Sequence, residues 1–293
     1  VSSGDIRRSI SKKIDLNQNV QNIMFKKPKY LLKKEKIETS KEYLICIPIL
    51  NKKKEIIDFQ YSEIIKKDKK NTIFLMAGGK GTRLLPLTKK TPKPLLRIKG
   101  IPIIEKIISN FRNQGFKNFI ISVNYLGYKI KKYLGNGKNL KVNITYIDEK
   151  RYLGTAGSLS LINFKKTIFP IIIANSDLIS EIDYNNLINY HNKKTSDLTI
   201  CAKNKIFQMP YGEILQNREK VKKIIEKPVM NHLVNAGVYV ADKTILKNIV
   251  KNKELMMNDF IAQQLKRNKK VYSYPIYENW IDIGNKIDFY NNR

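Results

Sequence analysis

The fold is decided by the stretch Thr72-Ile-Phe-Leu-Met-Ala-Gly-Gly-Lys-Gly-Thr-Arg-Leu-Leu-Pro-Leu-Thr-Lys-Lys-Thr-Pro-Lys-Pro-Leu-Leu96, in which an apolar run gives way to glycines and then to cations. The apolar residues predict a buried strand. Gly78, Gly79 and Gly81 accept backbone angles that other residues avoid, and they let backbone N–H groups approach an anion closely. Arg83 and Lys93 add positive charge. The stretch therefore predicts a strand that leads into a phosphate-binding loop.

Two common glycine motifs do not fit this loop. A P-loop requires Gly-Lys followed directly by Ser or Thr, whereas Lys80 is followed by Gly81. A dinucleotide-binding fingerprint requires a third glycine where Leu84 stands, and it requires an acidic residue near position 100, which is missing. The loop therefore belongs to another class of phosphate-binding site.

The composition indicates a globular chain with an unusual charge. Its 293 residues suggest two domains at about 150 residues each. The 56 Lys and Arg outnumber the 25 Asp and Glu, which gives a net charge of +31. Such an excess can indicate a nucleic-acid or membrane partner. Because the lysines are spread through every segment, we attribute the charge to a compositional bias toward Lys, Asn and Ile, and we expect no nucleic-acid partner.

Four further features restrict location and chemistry. No run of eighteen apolar residues is present, so we expect no membrane partner. We recognise no signal peptide, and Cys46 and Cys201 form no CxxC motif, which favours a reducing cytoplasm and argues against zinc. His191 and His232 lack metal-ligand spacing. We therefore expect a cytoplasmic protein in which both histidines have packing or surface roles.

The N-terminal part predicts a small separate unit. We assign residues 1–66 to this unit, 67–70 to a lysine-rich linker and 71–293 to the main domain. Val1 to Arg8 resembles the end of one CBS repeat, and residues 22–57 resemble part of a second, with a strand pair around Asn51–Lys53. The resemblance implies that Ser2 and Asp5 hold the ribose of an adenine nucleotide. A packing appendage without a ligand is the alternative. Because the chain begins with Val1 inside this module, we expect a fragment of a longer protein.

The main domain alternates predicted strands and helices. Strands are predicted around 72–77, 119–123, 142–147 and 169–177, and helices at 101–113, 125–134 and 257–267. The pattern predicts an α/β fold: a Rossmann-like mixed, mostly parallel sheet flanked by helices, preceded by a small α+β CBS-like module. The predicted strand 169–177 places Asp177 at its C-terminal end, where ligands bind in open α/β sheets.

Five blocks in chain order resemble the sugar-1-phosphate nucleotidyltransferases, also called nucleoside-diphosphate-sugar pyrophosphorylases. They are the glycine loop, Leu153-Gly-Thr-Ala-Gly157, Asn175-Ser-Asp177, Glu226-Lys-Pro228 with Asn235-Ala-Gly237, and Trp280-Ile-Asp-Ile-Gly284. Within the family, the chain most resembles CBS-fused bacterial guanylyltransferases that act on glucosamine or heptose 1-phosphates, in surface-sugar or nonulosonic-acid pathways. The resemblance implies that a sugar 1-phosphate attacks the α-phosphorus of a nucleoside triphosphate and releases pyrophosphate.

The resemblance also implies residue roles. Arg83 and Lys93 would be catalytic, and Asp177 and Asp282 would be catalytic and would bind Mg²⁺, a cation that prefers oxygen ligands. Glu226, Lys227 and Asn235 would bind the sugar phosphate. The nucleotide would be bound by Ala77, Gly78, Gly79, Gly81, Thr82, Arg83, Glu149, Gly154 and Thr155.

The residue at position 149, a Glu, leads to a prediction about which nucleobase the site prefers. Relatives that use uridine or thymidine triphosphates commonly have Gln at this position, and a Gln amide matches the mixed donor and acceptor edge of a pyrimidine. An ionised carboxylate only accepts hydrogen bonds, which suits the two adjacent donors of guanine. We therefore expect GTP to be preferred, although Asp148 could take this role instead.

Several alternatives remain open at this point. One alternative is a regulatory protein with an inactive catalytic domain, which would sense nucleotide through the CBS-like part. Five functional residues that an inactive domain would have no reason to retain argue against it: Arg83, Lys93, Asp177, Lys227 and Asp282. A basic nucleic-acid binder is a second alternative, and homo-oligomerisation is compatible with the sequence. Ser176 stands where the family usually has Gly, and its side chain could crowd the substrate or be tolerated.

Overall fold

A computed structural model describes residues 3–12, 14–15, 17–26, 30–32, 46–61 and 68–293. The chain divides into two compact units, Val1–Asp68 and Lys69–Arg293. The first strand of the second unit begins at Lys69, whose N–H donates to the Gly115 carbonyl at 2.8 Å. Lys69 and Lys70, predicted as the end of the linker, therefore belong to this strand because their backbone takes part in the sheet.

The N-terminal unit contains one described helix and a small sheet. The helix is α1 (Ser3–Ser11), and the strands are β1 (Leu31–Leu32), β2 (Cys46–Leu50) and β3 (Ile56–Tyr61), in the order β1-β2-β3. β2 and β3 pair antiparallel, so the predicted strand pair is confirmed. Asn51 Oδ1 accepts from the N–H groups of Lys53 and Glu55, which stabilises the turn between the strands.

A seven-stranded sheet forms the centre of the second unit. Its order is β15-β11-β14-β9-β4-β7-β8, and four of the six pairings are parallel. The strands are β4 (Lys69–Ala77), β7 (Phe116–Val123), β8 (Asn143–Asp148), β9 (Ile171–Asn175), β11 (Leu198–Gln208), β14 (Val229–Ala241) and β15 (Val271–Ile276). The predicted mixed, mostly parallel sheet is confirmed.

Six further short strands lie outside this sheet. β10 (Leu178–Ser180) pairs antiparallel with β16 (Trp280–Asp282), β12 (Glu213–Asn217) with β13 (Lys220–Ile225), and β5 (Arg97–Ile98) with β6 (Ile101–Pro102). The β12–β13 hairpin is largely exposed to solvent.

Both faces of the large sheet are buried. Ile73 and Leu75 of β4 point into one apolar core, whereas Phe74 points into the other, and all three are fully buried. Helices cover these faces: α2 (Ile103–Asn113), α3 (Gly127–Leu134), α4 (Gly154–Gly157), α5 (Tyr184–Lys193), α6 (Lys243–Leu246), α7 (Met257–Lys266) and α8 (Lys286–Asn291). This two-sided burial explains why β4 reads as a continuous apolar run.

Helix α2 shows how the sequence pattern determines packing. Its buried residues recur at helical spacing and are Ile103, Ile104, Ile107, Ile108 and Phe111. Gly115 has a φ of +95°, a conformation that favours glycine, and it lies just after the helix. The predicted helix and its glycine stop are confirmed, except that the helix begins at Ile103 because Ile101–Pro102 form strand β6. Among the described residues, no helix is both long and apolar enough to cross a membrane.

Candidate active site

The glycine loop lies at the C-terminal end of β4. Gly81 adopts a φ of +63°, and a Cβ at this position would lie 3.0 Å from Thr88 Cγ2 and 3.1 Å from Lys93 Cβ. The Thr88 hydroxyl donates to the Gly81 carbonyl at 2.8 Å, and the Tyr125 hydroxyl lies 3.1 Å from the carbonyls of Thr88 and Lys89. The loop is therefore held in shape by residues outside it, while Gly79 has no neighbour within 4 Å of its would-be Cβ.

A cavity of about 570 Å³ opens beside this loop, at the carboxyl ends of β4 and β9. It brings together every predicted nucleotide-binding residue, together with Lys93 and Asp177. These residues are Ala77, Gly78, Gly79, Gly81, Thr82, Arg83, Lys93, Glu149, Gly154, Thr155 and Asp177. Tyr152 and Met256 also line the cavity, but no motif in the sequence marks them. The volume suits a ligand of nucleotide size.

Lys93 and Asp177 form the charged centre of the cavity. Lys93 Nζ contacts Asp177 Oδ2 in a largely buried ion pair. Asp177 Oδ1 is also buried, and within the described part of the chain it has no hydrogen-bond partner. An ionised oxygen without a partner is costly unless a cation or a donor reaches it. Asp177 Oδ1 is therefore a position where a cation or a hydrogen-bond donor of a ligand could bind.

Asp282 is the second carboxylate of this centre. β10 and β16 place Leu178 opposite Asp282, and the Ile283 N–H donates to the Asp177 carbonyl at 3.1 Å. Burial raises the pKa of Asp282, the charge of Asp177 raises it further, and Lys93 and Arg83 oppose this shift. Asp282 does not line the cavity, yet its charge interacts with those of the three residues that do.

Asp177 and Asp282 are the residues of this site that could hold a magnesium ion. Over the ranges that the structure describes, no cluster of three or more His, Cys, Asp or Glu is present. Mg²⁺ is commonly bound by one or two carboxylates, with substrate phosphates and water as its other ligands. The unpartnered Asp177 Oδ1 is the oxygen that such an ion would require. Asp177 and Asp282 would therefore supply two ligands of such an ion, and water or a substrate phosphate would supply the others.

Ser176 lines the cavity, and its side chain is hydrogen-bonded within the fold. Its hydroxyl donates to the Met76 carbonyl at 2.6 Å, so the side chain links β9 to β4 at the end of the sheet. Ser176 is buried although it borders the cavity. The hydroxyl is occupied within the fold, and the fold accommodates the side chain there.

Glu149 is a buried acid in the cavity wall, with 7% of its surface exposed. The Ser122 hydroxyl donates to Oε1, and the Leu153 N–H donates to Oε2 at 3.0 Å. Burial raises the pKa of Glu149, while these two donors oppose the shift. Asp148 pairs instead with Lys131 at the surface, 2.8 Å away. Of the two adjacent acids, only Glu149 lines the cavity.

Helix α4 also contributes to the cavity lining, through Gly154 and Thr155. Gly154 has a φ of +75°, and a Cβ there would lie 2.5 Å from the Leu255 carbonyl oxygen. The N–H groups of Ala156 and Gly157 donate to this same carbonyl. The Thr155 hydroxyl accepts the Met257 N–H at 2.7 Å, which leaves the hydroxyl proton free to contact a ligand. Glycine at 154 is therefore required by close packing as well as by backbone conformation.

The structure does not bring the predicted sugar-phosphate residues into the cavity. Glu226, Lys227 and Asn235 are exposed, and none of them lines it. Lys227 adopts a φ of +46° between β13 and β14. Asn235 Oδ1 accepts the Gly237 N–H at 3.0 Å, and its Nδ2 donates to Asn258 Oδ1 at 3.3 Å. These residues belong to an open surface beyond the nucleotide-sized cavity.

Comparison with known proteins agrees with this geometry. Residues 72–293 match the family model described as nucleotidyl transferase. The chain is 32% identical to a mannose-1-phosphate guanyltransferase of Pichia angusta over 226 residues, which cover 73% of this chain and 61% of that protein. A putative mannose-1-phosphate guanyltransferase of Sulfolobus acidocaldarius is also 32% identical, with 73% and 60% covered. The chain thus spans about three fifths of the length of these curated relatives.

A solved structure supports the same fold. HddC from Yersinia pseudotuberculosis, complexed with GMP-PN, superimposes with a TM-score of 0.60 at 25% identity. The match covers 76% of this chain and 97% of HddC. The similarity therefore includes nearly the whole of that protein.

Proposed function

Since the chain belongs to the nucleotidyl transferase family, we propose that it transfers a nucleotidyl group from a nucleoside triphosphate, preferably GTP, to a sugar 1-phosphate. The observation that carries this proposal is the single cavity that joins the amides of Gly78–Gly81 to the ion pair of Lys93 and Asp177. The products are a nucleoside-diphosphate sugar and pyrophosphate. The protein is then an enzyme of nucleotide-sugar biosynthesis.

The reaction is a displacement at phosphorus. A phosphate oxygen of the sugar 1-phosphate forms a bond to the α-phosphorus while the bond from that phosphorus to the pyrophosphate breaks, and pyrophosphate carries away the electron pair. No side-chain nucleophile is required, so the protein contributes positioning and charge stabilisation. The loop amides and Arg83 hold the triphosphate, and Lys93 stabilises the charge on the α-phosphate.

Magnesium is part of the proposal. Asp177 and Asp282 would hold Mg²⁺, and when bound the ion would neutralise negative charge on the phosphates. The buried, unpartnered Asp177 Oδ1 supports this assignment. Lys93 reaches the other oxygen of the same carboxylate, so Asp177 links the fixed cation of the protein to the proposed ion site.

The preference for GTP rests on Glu149. Its carboxylate lies in the cavity wall and only accepts hydrogen bonds when ionised, which matches the two donors on the edge of guanine. Facing a uracil carbonyl, the same carboxylate would leave a buried charged group against an acceptor, at a cost of roughly 1–3 kcal/mol or more. The guanyltransferase names of the relatives are consistent with this choice.

The sugar phosphate is assigned to Glu226, Lys227 and Asn235. Lys227 would contact the phosphate, and Glu226 and Asn235 would contact sugar hydroxyls. Their position outside the nucleotide-sized cavity is consistent with a second substrate. We assign the product to surface-glycan or nonulosonic-acid biosynthesis, on the resemblance of the sequence blocks.

The remaining parts of the proposal concern the whole protein. We place it in the cytoplasm, where it could form homo-oligomers. An adenine nucleotide at the CBS-like unit would tune activity, although Ser2 lies outside the described residues and the Asp5 carboxylate already contacts Arg8. Calorimetry with AMP, ADP and ATP, with the catalytic site saturated, tests this part, and an absence of heat with all three would leave only a packing role.

Pyrophosphate release tests the main proposal. Four nucleoside triphosphates are each combined with a panel of sugar 1-phosphates that includes mannose 1-phosphate. We expect release that depends on both substrates and that is highest with GTP, and we expect Glu149→Gln to shift the preference toward UTP. Release that requires no sugar phosphate, or a native preference for UTP, would contradict the proposal.

A further inference from the structure

Hydrogen bonds hold both the backbone and the carboxylate of Glu149. Its N–H donates to the Val123 carbonyl at 2.9 Å, and its own carbonyl accepts from Asn124 Nδ2 at 2.7 Å. Its carboxylate is held at one oxygen by Ser122 and at the other by the Leu153 N–H. Both the backbone and the charged group therefore have a single defined position.

Ser122 is an unusual residue for its place in the sheet. It lies in β7 between Ile121 and Val123, and none of its surface is exposed. A hydroxyl in such a position is costly unless it is hydrogen-bonded, and an ionised carboxylate can only accept, so Ser122 must be the donor. A bond to a charged acceptor is stronger than one between neutral groups. The serine therefore acts on the carboxylate and on its protonation state.

The surrounding glycine completes this arrangement. A Cβ at Gly78 would lie 2.7 Å from Glu149 Oε1, so the carboxylate occupies space that only glycine leaves open. A carboxylate has about four lone-pair positions, two on each oxygen. Ser122 takes one on Oε1, and Leu153 takes one on Oε2. One acceptor position thus remains on each oxygen for a ligand with two adjacent donors.

We propose that Ser122 is a positioning residue that sets the nucleobase preference through Glu149, an inference that rests on the proposed guanylyl transfer. Without the hydroxyl, the carboxylate loses the donor that holds Oε1 and that favours its ionised form. A carboxyl group that gains a proton presents one donor and one acceptor, as a Gln amide does, and this pattern suits a pyrimidine edge. Loss of the hydroxyl therefore weakens discrimination against UTP.

A double-mutant cycle tests this role. The ratio of kcat/KM for GTP to that for UTP is measured for the native protein, Ser122→Ala, Glu149→Gln and the double variant. We expect Ser122→Ala to lower the ratio about tenfold, which corresponds to about 1.4 kcal/mol. In the Glu149→Gln background, the same serine change is expected to leave the ratio unchanged, because the carboxylate through which it acts is gone.

Thr199→Val provides a matched control. Thr199 is fully buried in β11, and its hydroxyl bonds to a titratable side chain, His191 Nδ1, at 2.8 Å, but neither residue lines the cavity. We expect this variant to keep the native ratio. A fall similar to that of Ser122→Ala would mean that any lost buried hydroxyl changes selectivity, and it would overturn the inference.

Failure of the proposed Ser122 role and failure of the proposed guanylyl transfer give different results in these measurements. A ratio for Ser122→Ala within about twofold of the native value, or an equal effect in the Glu149→Gln background, would overturn the positioning role while guanylyl transfer stands. If Ser122→Ala does not fold, Ser122→Cys replaces it, since a thiol is a weaker donor of similar shape. We then expect a ratio between those of the native protein and Glu149→Gln, and a native ratio would overturn the inference. Absence of turnover in the native protein would instead contradict the proposed function.

Discussion

Gly154→Ala is expected to lower the free energy of unfolding of the second unit, Lys69–Arg293, for two separate reasons. The first is backbone strain, because Gly154 has a φ of +75° and an L-residue in the left-handed region costs about 1–2 kcal/mol. The second is a steric clash, because the new Cβ would lie 2.5 Å from the Leu255 carbonyl oxygen. Overpacking of this kind costs about 1–3 kcal/mol. The two costs together are about 2–5 kcal/mol, before any effect on the unfolded chain is subtracted.

Gly100→Ala isolates the first cause. Gly100 has a φ of +77°, nearly the same as Gly154, but its would-be Cβ has no neighbour within 4 Å. The reduced freedom of the unfolded chain offsets part of the strain, by about 0.4–1 kcal/mol in both variants. We therefore expect Gly100→Ala to cost about 1 kcal/mol, and Gly154→Ala to cost at least twice as much.

The assay is denaturant unfolding followed by tryptophan fluorescence. Trp280 is the single tryptophan of the chain and lies in β16, so its fluorescence reports the unfolding of the second unit. We also expect Gly154→Ala to raise KM for the nucleotide, since displacement of Leu255 disturbs the bond between Met257 and Thr155. Equal losses of stability in the two variants, with unchanged KM, would refute the packing of α4 against residues 253–257.

Three further predictions concern charge. Asp177→Asn and Asp282→Asn should each lower turnover at least a hundredfold without unfolding the protein, and near-native turnover at saturating Mg²⁺ would remove that residue from the metal site. Lys227→Ala should raise KM for the sugar phosphate only, because Lys227 lies outside the nucleotide-sized cavity, and a rise in KM for the triphosphate instead would show that the two phosphate sites are exchanged. Burial lowers the pKa of His191, so the unfolded chain binds more protons than the folded one as pH falls below about 6.5, and stability should decline there. His191→Gln should reduce this decline and His232→Gln should not, as measured by unfolding at pH 5 and pH 7.5; identical pH profiles for all three proteins would contradict the assignment.

The sequence predicts those parts of the fold and site that depend on local pattern. Helix α2 could be predicted because its apolar residues recur at helical spacing. The glycine loop could be predicted because its glycines come directly after an apolar strand. Tyr152 and Met256 were missed because an isolated aromatic or Met beside a motif has no pattern of its own. Pairings between distant positions could not be predicted either. Ser122 contacts Glu149, which is 27 positions away in the sequence, and Lys93 contacts Asp177, which is 84 positions away. These contacts depend on the packing of the whole sheet.

The most direct test of nucleotidyl transfer follows the phosphorus atoms of GTP. The native protein is incubated with Mg²⁺, the sugar 1-phosphate that gives most turnover, and GTP labelled at either the α or the γ position. We expect the α label to appear in a nucleoside-diphosphate sugar and the γ label in pyrophosphate, with neither product formed when the sugar phosphate is omitted. An α label that remains in GDP or GMP, or a γ label recovered as inorganic phosphate, would contradict nucleotidyl transfer.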